Sequence, residues 1–146
     1  MNEKRLRELL TTWQRRLRLD DWRILLHVGG VEDADAYMET RRSTTYQRGV
    51  IYCQPWLLGK GTPGDVMISG QDMTDDFVEA SLVHELLHLH TRDMRAIVRD
   101  DLDGQVHRDV YTVLEAAMAR AEEQCVDRLA EALVRAFSGD DQEGPP

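Results

Sequence analysis

Five consecutive residues, His84-Glu85-Leu86-Leu87-His88, have the types and spacing that support chemistry. Histidines four apart on a helix stack one turn above each other on one face, so both imidazoles reach a common ion. A divalent metal gripped by two imidazoles needs a third protein ligand and an open fourth position for water. The glutamate between the histidines is then placed to take a proton from that water and deliver it to a leaving amine. Zn2+ fits this donor set, because it accepts nitrogen and oxygen ligands in a tetrahedron and lowers the pKa of a bound water to about 7. The composition makes one accidental HExxH match roughly a 1% event. The plain alternative is two histidines satisfied by core hydrogen bonds. It leaves three ionisable residues on an apolar helix without a reason, and unpaired buried charge is costly.

A third ligand is sought by helical phase. Tyr111, Leu114, Met118, Cys125, Leu129 and Leu133 form one apolar stripe in the last long helical segment. The gap between Met118 and Cys125 is filled, in phase, by Glu122. An acid in a core-facing stripe is anomalous unless paired or bound to metal, so Glu122 is the expected third ligand beside His84 and His88. Arg120, Gln124, Asp127 and Glu131 mark the wet face. Glu123 sits about 100° further round, at the border of the stripe. Glu115 also lies on the stripe, as a further ligand candidate or a hydrogen-bond acceptor for a ligating histidine. His90 follows His88 by two and points off the metal face, and His27 falls in a strand segment.

The elements that must position these residues read as follows. Residues 3–18 form a helix with Leu6, Leu9, Leu10, Trp13 and Leu17 on one face. Trp22–Val28 is a strand closed by Gly29-Gly30, and Tyr37–Gln54 is two strands or one bent strand, interrupted at Gly49. A loop over 59–65 precedes a short strand at Val66–Ile68. Thr74 caps a central helix from about Asp75 to His90 that is apolar nearly all round and so expected to be covered on most sides. Residues 92–106 read as a charged loop with some helical turns, followed by a long helix over His107–Phe137. This is an α+β chain: an N-terminal helix, a small mostly antiparallel sheet, the HExxH helix and a long C-terminal helix. Residues 1–137 form one domain and 138–146 a disordered tail.

The chain resembles the zincin metallopeptidases. SLVHELLHLH stands on an apolar helix preceded by helix and strands and followed by a long helix. It looks most like the small single-domain zincins of phage and bacterial genomes, with a Trp-bearing first helix, a DW-initiated strand, VHELLHL, and a late EEQ and VDRLA around Cys125. It is similar, more distantly, to ImmA/IrrE-type peptidases, whose last helix carries a ligand glutamate. That pattern also aligns with Glu123. SprT-like zincins take a downstream loop histidine as ligand, which here points to His107. The metzincin extension is absent, because Leu89, His90, Thr91 and Arg92 follow His88. The resemblance implies zinc-dependent hydrolysis of a peptide or protein substrate with Glu85 as general base. It also implies substrate pairing with a sheet edge, for which Tyr37–Gln47 is the expected segment. Tyr111, His107, Tyr46 and Arg108 are candidates for stabilising the oxyanion. The alternative is a non-catalytic zinc-binding interaction module on the same scaffold.

The 146 residues are 42% hydrophobic and 31% charged, which excludes a collagen-like or wholly disordered chain. A net charge of −9 makes nucleic acid and anionic membrane poor partners. The 18 basic residues are almost all arginine, a skew that carries no function here. Cys53 and Cys125 have no Cys or His neighbour at metal-ligand spacing. Trp13, Trp22 and Trp56 read as core anchors. No signal peptide or membrane span is expected, and the reading is a cytoplasmic protein.

Overall fold

The computed structural model describes residues 1–32, 36–42, 47–60, 74–102 and 104–138, with side chains except those of 92–95, 97, 98 and 138. It divides into two compact units, Met1–Leu86 and Leu87–Pro146, and the division falls inside one continuous helix.

The first unit opens with helix α1 (Glu3–Arg16). Asn2 caps it by accepting from the Arg5 amide at 2.9 Å, satisfying one of the orphan amides of the first turn. Leu6, Leu9, Leu10 and Trp13 are buried, as their three- and four-residue spacing predicts. The Trp13 indole N–H donates to Glu79 Oε1 at 2.5 Å, so a fully buried ring keeps its polar edge satisfied. Glu3 accepts from Lys60 and Arg7. The hydrogen bond from Lys60, then that from Arg7, holds its carboxyl down at about 2. That contribution is present above the ordinary value of 4.5 and is lost as pH falls toward 2.

Strands β1 (Arg23–Val28), β2 (Met38–Arg42) and β3 (Arg48–Cys53) form a three-stranded sheet in the order β1-β3-β2. β3 is central because Val50, Ile51, Tyr52 and Cys53 suit a strand paired on both sides. Ile51 and Cys53 are fully buried, and Leu26 and Met38 join them on the inner face. Tyr52 lies on the other face, with His27 edge-on to its ring and the Arg41 guanidinium 4.3 Å over it. The sheet is mixed rather than mostly antiparallel: β2 runs antiparallel to β3, but β1 runs parallel to it. Alternation of side chains encodes a strand's two faces and not its direction, so the parallel pair is invisible locally. Gly49 lies inside β3, opposite Arg42 of β2, and does not interrupt the strand. The 3-10 turn Pro55–Leu58 follows and ends at Gly59 in the left-handed region.

Helix α2 (Asp75–Leu102) begins as expected, with the Thr74 hydroxyl accepting from the Phe77 amide. It runs well past His90. Residues 92–102 are charged, but Arg, Met, Ala and Leu are good helix formers, and no breaker occurs before Gly104 at φ +79°. In the second unit, helix α3 (Arg108–Ser138) buries Val126, Ala130 and Val134. Cys125 and Leu129, expected on the core stripe, are exposed, as is Leu114. Glu122 does lie on the buried face, as expected, but the row continues through Val126, Ala130 and Val134 in place of Cys125 and Leu129. No helix among the described residues is long and apolar enough to cross a membrane. The strand expected at Val66–Ile68 and tail residues 139–146 lie outside the described residues.

Two outcomes follow from this packing. Trp13→Phe keeps an aromatic ring but removes the N–H donor to Glu79 and part of the buried volume, and should cost at least about 1–3 kcal/mol in urea unfolding with an unchanged m-value. Burial pushes the Cys53 thiol up to about 12, whereas Cys125 is exposed. A thiol reagent at pH 8 should therefore label one cysteine in the native protein and two in denaturant.

Candidate metal centre

Helix α2 carries His84, Glu85 and His88 among Leu82, Val83, Leu86, Leu87 and Leu89, all buried. His84 and His88 are one turn apart on the same continuous helix and share a face. Glu85 is only 8% exposed and is the charged residue that joins the buried set among the described residues. The Thr40 hydroxyl of β2 donates to the Glu85 carbonyl at 3.3 Å, tying that strand to the turn of α2 that carries the motif.

On α3, two adjacent carboxylates approach the two nitrogens of one ring. His88 Nδ1 lies 3.5 Å from Glu122 Oε1, and His88 Nε2 lies 3.5 Å from Glu123 Oε1. The side chain of Glu122 is 10% exposed and that of Glu123 is 51% exposed. Glu122 also accepts from the Thr91 hydroxyl, which reaches the His88 carbonyl at 3.3 Å as well. One ligand atom from each of His84, His88 and Glu123 lies within 4.8 Å of the others. Two imidazoles and a carboxylate make a donor set suited to zinc, with a side open to solvent at Glu123.

The structure thus brings His84 and His88 together with Glu123, and places the expected ligand Glu122 against the other nitrogen of His88. Glu115 is exposed on α3. His107 is also exposed; its Nδ1 accepts from the Asp109 amide at the start of α3, and it is not in the cluster. His90 and His27 are exposed. Of the oxyanion candidates, Tyr111 is half-buried and Arg108 exposed, while Tyr46 lies outside the described residues. Sequence reasoning passed over Thr91. Its signal was the spacing: a hydroxyl three residues after His88 falls on the same helical face.

Comparison with known protein-family models, with curated proteins and with solved structures finds no match to this chain.

The cluster makes a direct measurement decisive. The purified protein should take up one equivalent of Zn2+ or Co2+, with a raised melting temperature. His84→Ala and His88→Ala should each abolish that uptake, and His90→Ala should leave it unchanged.

Proposed function

We propose that this chain is a zinc-dependent peptidase, with Glu85 as general base and the ion held by His84, His88 and Glu123. The grouping of Glu123 of α3 with His84 and His88 of the HExxH helix is the observation that carries the reading. When bound, the ion supplies Lewis acidity, polarising the scissile carbonyl and lowering the pKa of a coordinated water to about 7.

The chain's own residues do the rest. Glu85 accepts a proton on a carboxylate oxygen from the water that attacks the carbonyl carbon, and passes it to the leaving amide nitrogen. A carbon–oxygen bond forms and the carbon–nitrogen bond breaks, leaving a carboxylate and an amine. Strand β2 is at the edge of the sheet among the described strands, and its Thr40 is hydrogen-bonded to the Glu85 backbone. An extended peptide pairing with that edge would lie next to the base, with its main chain held by ladder hydrogen bonds. This supports a peptide or protein substrate, and the net charge of −9 favours no nucleic acid or anionic lipid.

Glu85→Gln separates catalysis from metal binding. It should leave zinc content at one per chain while lowering peptide hydrolysis by about 10²–10⁴-fold. Zinc-loaded wild type that cleaves none of a diverse peptide library would instead favour a binding module on this scaffold.

A further inference from the structure

Two neighbouring glutamates engage one imidazole from opposite sides, and this asymmetry separates their roles. A histidine ring offers one nitrogen to a metal, and the hydrogen bond made by the other nitrogen sets the tautomer and the ring's orientation. Glu123 stands on the Nε2 side of His88, and His84 offers a ligand atom within 4.8 Å of one from each of them. Glu122 takes the Nδ1 side, on the row that continues into Val126, Ala130 and Val134.

A carboxylate on that row is costly unless its oxygens are matched by donors. Thr91 supplies one, its hydroxyl lying against both Glu122 Oε1 and the His88 carbonyl. The three groups lie in a chain: the Thr91 hydroxyl donates to Glu122, and Glu122 Oε1 stands 3.5 Å from His88 Nδ1. A proton on Nδ1 would be held by Glu122 and would leave the Nε2 lone pair on the side of Glu123.

Resting on the zinc reading above, we infer that Glu122 and Thr91 are positioning residues. They lock His88 in the Nδ1-protonated tautomer and so set the affinity of the metal centre, while Glu123 is the carboxylate ligand. The inference predicts that adjacent glutamates fail in different ways.

Cobalt titration tests it, with the visible d–d band reporting coordination and metal competition reporting affinity. Glu122→Gln should weaken Co2+ binding about 10-fold or more, up to 100-fold, with one site per chain and an unaltered band shape. Thr91→Val, which leaves the carboxylate in place, should weaken it in the same direction by less. The two losses should be non-additive in the double variant, because they act through one hydrogen-bond chain. Glu123→Gln should change the band itself. In the zinc-loaded wild type, the His88 Nδ1 proton should appear in ring ¹⁵N spectra with slowed exchange, and Glu122→Gln should speed that exchange. Circular dichroism and melting of the metal-free variants establish that each is folded.

Loss of the band in Glu122→Gln with its retention in Glu123→Gln would make Glu122 the ligand and overturn the assignment. Unchanged affinity in Glu122→Gln and Thr91→Val would overturn it as well. A wild type that binds no cobalt would instead refute the zinc reading itself, an outcome distinct from either of these.

Discussion

Groups that form hydrogen bonds or carry charge leave water only where the fold supplies partners. Along α2 that constraint is severe. Leu82, Val83, Leu86, Leu87 and Leu89 are buried, and His84, Glu85 and His88 sit among them. An apolar row of the same length would pack without difficulty, so the polar triplet has to be served by what surrounds it. Each of its neighbours can be understood as doing so: Thr40 at the Glu85 carbonyl, and Thr91, Glu122 and Glu123 around His88.

The sheet reaches the HExxH segment through Thr40, whose hydroxyl donates to the Glu85 carbonyl. β3 is buried on its inner face and central, which keeps β2 in place beside it as an edge. The two faces are sharply divided. Leu26, Ile51 and Met38 face the core, whereas His27, Tyr52 and Arg41 cover the other side with ring and cation–π contacts. A strand whose register is held this way presents Thr40 to the Glu85 backbone, because a slip of one residue would turn that hydroxyl to the outer face.

What could be read from the chain was local. The HELLH phase, the Thr74 cap, the leucine row of α1 and the β1 strand all follow from spacing within a few residues. What escaped was set at a distance. The parallel pairing of β1 with β3 is a matter of topology that no alternation records. The extension of α2 to Leu102 was hidden by charge, which says where a surface is wet but not whether it is helical. The buried face of α3 keeps Glu122 but then passes through Val126 and Ala130 rather than Cys125 and Leu129, which look as apolar, and only packing chooses between them. The choice between Glu122 and Glu123 was beyond sequence for a similar reason. Both reach the same imidazole, and what distinguishes them is which ring nitrogen each one meets.

Gly104 sits in the short connection between α2 and α3, where its positive φ ends the first helix cleanly. About as many residues separate His88 from the end of α2 as separate the start of α3 from Glu122. The two arms of this helical hairpin are thus matched, each roughly 20 Å long. Inserting a single residue into either arm would advance it by about 1.5 Å and rotate everything beyond by about 100°. That rotation is the angular offset between neighbouring carboxylates, so the length of the hairpin decides which acid meets which edge of the ring. Natural variation in this chain should therefore tolerate substitution along the arms far more readily than any change in their length.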